Sequence, residues 1–446
     1  MTHRPSRRRF LGQSAAALGV LALPALSYRR VYGANARLRV ASVGTGGKGW
    51  SDLTSVAASP SVDVAALCDV DSTAEHLGRA AEKYPSAKTF ADWRRLLDEE
   101  KTFDAVIVST PDHMHAPIAL AAMARGKHVY CQKPLTHTAF EARQMAEAAA
   151  KAGVVTQMGN QIQSHEAYRT AVKLIQDGTI GKVREVRSWQ ANPMGWLPPA
   201  QSPPPDAPAP PAVAWDGWLG VAAARPYKPT VYHPFNWRAW QAFGTGQLGD
   251  FGCHILDPVF LALGLTSPTT IRAEAPAIGP ELWTDRSTVT YVFPGTDYTA
   301  GGAITLTWTD GEGHLPDRDG LGLPGAYKLP RAGSAFVGEK GTRVLPHVGR
   351  PVLFPEERFA DAKLPVVPGV DHYVGWADAC RGVGTTTSSF AYAGPLTEAV
   401  HLGNLAIRLA GTTLTWDGPA MTLSGHDRAQ GLLTKPYRAG WEPTWV

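Results

Sequence analysis

The run Leu38-Arg39-Val40-Ala41-Ser42-Val43-Gly44-Thr45-Gly46-Gly47-Lys48-Gly49 decides the fold. Its first six residues are mostly apolar and read as a buried strand. The glycines that follow fit G-x-G-x-x-G at the point where a helix should open. Glycines at this spacing let the backbone turn tightly and approach a pyrophosphate, whose charge is met by the helix N-terminus. Taken alone, the match could be an ordinary glycine-rich turn. The next apolar run, Val62 to Cys68, leads straight into Asp69, 20 residues past Gly49. A carboxylate there can accept from ribose hydroxyls and would repel a 2′-phosphate, which favours NAD over NADP. Asp71 competes for that role, and a helix N-cap is the plain structural alternative for Asp69.

Working outward, Ala105 to Ser109, His128 to Cys131 and Val154 to Met158 read as further strands. They alternate with Ala-rich helical patterns at Ser72 to Tyr84, Ala116 to Arg125 and Ala139 to Ala152. That alternation is βαβ architecture, a parallel sheet covered by helices. After Gly159 the texture changes. A helix is expected over His165 to Gln176, strands over Val183 to Gln190, Thr288 to Phe293 and Ala303 to Trp308, and a helix over Thr397 to Leu409. Residues 197–211 are proline-dense and read as a stiff surface excursion, with a flexible interdomain linker as the competing reading. The chain therefore divides into a Rossmann domain over 37–160 and a second domain over 161–446.

At 446 residues the chain has room for two or three domains, and a net charge of +4 is too small to suggest a nucleic-acid partner. With 45 Gly and 36 Pro it is rich in loops. Four scattered cysteines without C-x-x-C spacing signal neither a zinc site nor a disulfide framework. Residues 1–36 read as a twin-arginine signal peptide: Ser6-Arg7-Arg8-Arg9-Phe10-Leu11, an apolar stretch from Ala15 to Leu26, then Ala34-Asn35-Ala36 for cleavage. A basic amphipathic helix is the alternative. The expectation is a chain beginning near Arg37, exported to the periplasm by the twin-arginine machinery. No later run reaches the roughly 18 apolar residues of a membrane span, so no stable membrane insertion is expected after cleavage.

Two further segments carry a resemblance. Ser109-Thr110-Pro111-Asp112-His113-Met114-His115 follows one strand, and Gly126-Lys127-His128-Val129-Tyr130-Cys131-Gln132-Lys133-Pro134-Leu135 contains another. With the glycine loop, they resemble the Gfo/Idh/MocA oxidoreductase family. Gly244-Thr245-Gly246-Gln247-Leu248-Gly249-Asp250-Phe251-Gly252-Cys253-His254 is similar to the segment in which that family carries a catalytic Asp and His four residues apart. The resemblance implies an N-terminal Rossmann domain and a C-terminal α+β domain with a large, mostly antiparallel open sheet, commonly paired into homo-oligomers. It makes Lys133, Asp250 and His254 the catalytic set. It places the cofactor against Gly44, Thr45, Gly46, Gly47, Lys48, Gly49, Asp69, Thr110, Pro111, His115, Gln132 and Lys133. Gln132 stands where the family has a glutamate, and losing that carboxylate is expected to ease access to the neutral Lys133 amine. If Gln132→Glu leaves the pH dependence of turnover unmoved, that charge argument fails.

Hydride transfer from a secondary alcohol needs a base for the hydroxyl proton and a donor that favours the developing alkoxide. His254 suits the first role and Lys133 the second. Asp250 could orient the imidazole or bind a second hydroxyl. Tyr232, His233 and Arg238 are candidate substrate contacts among aromatics that otherwise serve packing. Asp250, His254 and Asp257, or His113 with His115, could in principle hold a metal; none is expected, and chelation should leave activity intact. The sequence thus reads as a periplasmic NAD-dependent oxidoreductase acting on a sugar, glycoside or polyol with tightly bound cofactor. The alternatives are an NAD-dependent glycosidase working by transient ring oxidation, elimination and re-reduction, and a sugar-binding protein with a vestigial cofactor fold.

Overall fold

A computed structural model describes residues 37–196, 204–361 and 365–443. The signal-peptide reading and the first part of the proline-dense stretch lie outside these residues.

The N-terminal strands are β1 (Leu38–Val43), β2 (Val62–Cys68), β3 (Lys88–Phe90), β4 (Ala105–Val108), β5 (His128–Cys131) and β6 (Thr156–Met158). They form one sheet in the order β3-β2-β1-β4-β5-β6, parallel throughout. Both faces are covered, so β1 and β4 are buried nearly end to end rather than alternating. Strand order reverses between β1 and β4, and the crevice beyond their carboxyl ends is where such sheets bind ligands.

The second sheet has nine strands: β7 (Val183–Gln190), β8 (Thr270–Glu274), β9 (Ser287–Pro294), β10 (Ala303–Asp310), β11 (Ala332–Gly338), β12 (Thr342–Pro346), β13 (Val352–Phe354), β14 (Thr413–Asp417) and β15 (Thr422–Ser424). Their order is β13-β12-β11-β7-β10-β9-β8-β14-β15. Among the described strands of this sheet, only the β7–β10 pair is parallel. Along β9 buried and half-buried residues alternate, with Val289, Tyr291 and Phe293 turned into the core. The helices Gly246–Ile255 and Phe390–Arg408 lie over this buried side, and Phe390–Arg408 also packs against the N-terminal helix Ala139–Ala152.

Several boundaries depart from the sequence reading. The helix expected from Ser72 begins only at Leu77, because the Asp71 carboxylate accepts from Thr73 N and holds residues 71–73 in a turn. The last strand of the first sheet begins at Thr156. The helix expected from Thr397 begins at Phe390 and runs through Pro395. Fifteen of its residues are buried between the two sheets' helical layers, and that burial outweighs one proline's local cost. Within the proline-dense stretch, Ala207 bridges Tyr227 and Lys228 pairs with Asp206 at 2.7 Å, fastening the described part to the second domain.

Candidate active site

The glycine loop turns from β1 into the helix Gly47–Val56. Gly44 sits at φ +84°, and a Cβ there would lie 2.4 Å from the Ser109 carbonyl oxygen. A Cβ on Gly49 would lie 2.1 Å from the Gly44 carbonyl oxygen. Both positions require glycine for the turn and for close helix packing. Gly46 caps the helix without a side-chain hydrogen bond. That leaves first-turn N–H groups without a capping side chain, beside a cavity lined by Gly46, Gly47 and Lys48. Asp69 closes the loop from β2: Oδ2 accepts from Thr45 N at 2.7 Å and Thr45 Oγ1 at 3.2 Å. The glycine cradle, the uncapped helix start and a carboxylate at the wall fit a dinucleotide, with the diphosphate at the helix and a ribose at Asp69.

The cavity encloses about 910 Å³ and is lined by both domains. Lys133, just past β5, donates through Nζ to Asp250 Oδ1 at 2.7 Å and to the Asp250 carbonyl at 2.8 Å. Asp250 lies on the helix Gly246–Ile255, with Arg238 Nε 3.5 Å from the same carboxylate oxygen. Burial works against ionisation of Asp250, but Lys133 and Arg238 outweigh it and hold the carboxyl below its ordinary value. One turn on, His254 lines the same cavity. Burial and then the Lys133 charge push its pKa well below the usual range, so the ring is neutral. Its Nδ1 is buried without a hydrogen-bond partner among the described residues. Asp250 is committed to Lys133 and Arg238, so the positioning of the imidazole by Asp250 is not what the structure shows.

Gln132 is turned away from the Lys133 ammonium. Its Nε2 donates to Asp52 Oδ2 at 2.7 Å, and that oxygen also accepts from Ser109 Oγ at 2.8 Å. Asp52 Oδ1 meets Lys48 Nζ at 2.8 Å, and Lys48 donates onward to Tyr373 Oη at 2.8 Å. A glutamine is therefore the complement of a fully buried aspartate, and the charge beside Lys133 comes from Asp250.

Thr110 and Pro111 shape the cavity wall after β4. His115 is fully buried beneath them, with Nε2 2.8 Å from the Thr110 carbonyl and Nδ1 2.8 Å from the Pro134 carbonyl. Burial lowers its pKa to about 4, and as a neutral ring it donates to one of the two carbonyls at a time. Arg238 lines the cavity among Trp196, Phe235 and Trp237. Tyr232 instead packs into a cluster with Trp218, Trp237 and Phe243. His233 faces the other end of the groove, its Nε2 2.7 Å from Asp71 Oδ2. Asp257 is buried away from His254 and accepts from Gln163 and Tyr392, while His113 contacts the Trp218 carbonyl.

Several lining residues were not singled out from sequence. Asp112 is almost fully buried and accepts from Thr245 Oγ1 at 2.7 Å. Burial raises its pKa to about 7. An acid directly after Thr110-Pro111, just past the end of β4, was the available signal. Trp196 and Phe251 form a nearly parallel pair, 6.4 Å apart at an interplanar angle of 10°, and nothing in the spacing of residues 196 and 251 announces it.

Residues 38–160 match the model of an oxidoreductase family described as an NAD-binding Rossmann fold, and residues 169–315 match that family's C-terminal alpha/beta domain. The chain is similar to a levoglucosan dehydrogenase of Pseudarthrobacter phenanthrenivorans, 26% identical over 41% of this chain and 38% of the relative. It is also similar to a glycosyl hydrolase family 109 protein of Stenotrophomonas maltophilia, 36% identical over 28% of this chain and 29% of that protein. The matched segments thus span about two fifths or less of these curated relatives. Among solved structures, the WlbA dehydrogenase of Bordetella pertussis, in complex with NADH and UDP-GlcNAcA, shares the fold. Its TM-score is 0.60 at 16% identity, covering 85% of this chain and 99% of that one.

Proposed function

The chain belongs to the Gfo/Idh/MocA oxidoreductase family, and from that premise we propose that it is an NAD-dependent oxidoreductase acting on a secondary alcohol of a sugar, glycoside or polyol. One observation carries the reading: the Lys133 ammonium and the His254 imidazole, from different domains, line one cavity that continues to the glycine loop and Asp69. The dinucleotide, held by the glycine loop, the start of the helix Gly47–Val56 and Asp69, supplies the hydride acceptor. Lys133 donates to the substrate oxygen and favours its developing negative charge. Neutral His254 takes the hydroxyl proton. Asp250 holds the Lys133 side chain in place through its carboxylate and its carbonyl. Trp196, Phe251 and Arg238 offer apolar faces and a donor to a sugar ring. Denaturing purified protein should release NAD, and intact protein should produce a keto-sugar from at least one glycoside or polyol. Protein that neither holds nor turns over a nicotinamide dinucleotide would end the proposal.

A second reading draws on Asp112. A buried carboxyl with a pKa of about 7 lines the same cavity and could give a proton to a departing glycosidic oxygen. The partial similarity to a glycosyl hydrolase family 109 protein supports it. Released reducing sugar without net change in bound dinucleotide would select this reading over the first.

The twin-arginine reading of residues 1–36 supports export with cofactor already loaded; changing Arg7 and Arg8 to lysine should then trap the protein in the cytoplasm. The half-buried outer residues of β9, Thr288, Thr290 and Val292, support pairing of two copies through the second sheet, which sedimentation would detect.

A further inference from the structure

At the glycine-loop end of the groove, two segments distant in sequence bring together Asp71 and His76, five residues apart, with His233. Asp71 follows β2, His76 caps the helix Leu77–Lys83, and His233 comes from the second domain. One ligand atom from each lies within 4.8 Å of the other two. Asp71 Oδ2 is 2.7 Å from His233 Nε2 and 3.6 Å from His76 Nε2. All three side chains are largely buried, at 6%, 17% and 11% exposure for Asp71, His76 and His233. From this arrangement we infer that Asp71, His76 and His233 form a binding site for a divalent transition-metal ion of the zinc class.

Zinc bonds to imidazole nitrogen and carboxylate oxygen are about 2.0–2.2 Å, which sets tetrahedral ligands roughly 3.3 Å apart. The two separations at Asp71, 2.7 and 3.6 Å, fall on either side of that spacing, and a water would take the fourth position. Surrounding contacts already orient the ligands. Asp71 Oδ1 accepts from Thr73 N at 2.9 Å, leaving Oδ2 for both imidazoles. His76 Nδ1 lies 3.6 Å from Asp69 Oδ2, so the Nε2 edge is the one presented to Asp71. A carboxylate behind a ligating histidine is the usual way to fix its tautomer and raise its basicity. Two nitrogens and one oxygen suit zinc, cobalt or nickel and disfavour calcium or magnesium, which prefer oxygen ligands. Bound there, the ion would clasp the second-domain segment carrying His233 onto the Rossmann domain. The site involves neither Lys133 nor His254, but His76 packs against Gly46 and adjoins Asp69, so it borders the proposed dinucleotide site, and zinc binding is read directly rather than through turnover.

The test uses the full mature chain without a histidine tag, stripped with chelator and titrated with Zn²⁺ by calorimetry. About one equivalent should bind, with at least a tenfold weaker affinity in His233→Ala and in Asp71→Asn. Wild-type protein is also acylated at imidazole with and without Zn²⁺ and mapped by mass spectrometry. Zinc should protect His76 and His233, a readout that needs no variant to fold. Failure to bind zinc, unchanged affinity in the variants, or equal acylation of both histidines with and without zinc overturns the inference.

Discussion

Replacing Gln132 with glutamate tests why this chain departs from the family pattern. Gln132 Nε2 lies 2.7 Å from Asp52 Oδ2, and both residues are buried. In Gln132→Glu, two carboxylates would face each other with charge centres roughly 4 Å apart. At an effective dielectric constant near 20 they would repel by about 4 kcal/mol. Since 1.36 kcal/mol corresponds to one pKa unit, the pair would hold a proton up to roughly three units above the ordinary glutamate value of about 4.3. The folded form would then bind a proton that the unfolded chain releases. The variant's stability would be preserved below pH 4 and lost as pH rises toward 7. Urea unfolding of wild type and variant at pH 5 and pH 8 reads this directly. The variant should be weaker by about 3 kcal/mol at pH 8 and by clearly less at pH 5. Adding Asp52→Asn restores a neutral donor opposite the new carboxylate and should recover most of the loss. A variant as stable as wild type at pH 8, or a deficit that ignores both pH and the second substitution, would refute the reasoning.

Lys133→Ala should lower kcat by about 100-fold or more while leaving bound dinucleotide unchanged on denaturation, since Lys133 acts at the substrate oxygen. Asp112→Asn keeps the acceptor for Thr245 and removes a buried carboxyl whose pKa is raised to about 7. Because that raised value costs stability as pH climbs from about 4 through 7, the variant should be the more stable protein at pH 8 by roughly 2–4 kcal/mol, with the gap closing toward pH 4 in urea unfolding. Gly44→Ala places a Cβ 2.4 Å from the Ser109 carbonyl at a φ of +84°, and should cost about 3 kcal/mol or more in unfolding experiments and abolish dinucleotide retention.

The Rossmann half was legible because its signals are local. A strand, a glycine turn and an acid after the next strand sit within one stretch of about 30 residues, and each constrains the backbone by itself. Gly44, Gly46 and Asp69 therefore fell where the spacing put them. The second sheet was only partly legible: β7, β9 and β10 carry an alternating pattern, whereas β13 and β15 are three residues long and carry no period. The site divides in the same way. Lys133 and His254 were found through motifs, and their common cavity is a tertiary fact. The Gln132–Asp52 pair joins positions 80 apart, and the Asp71, His76 and His233 trio spans 162 positions. Asp71 and His76 are near in sequence, but no spacing rule connects them with His233.

The Lys133 to Asp250 contact crosses from one domain to the other. Separately expressed halves of this chain would each lack a working centre, however well either one folded. On the oxidoreductase reading proposed above, domain docking and catalytic competence would be a single event, and anything that pries the lobes apart would act as an inhibitor without touching a reacting atom.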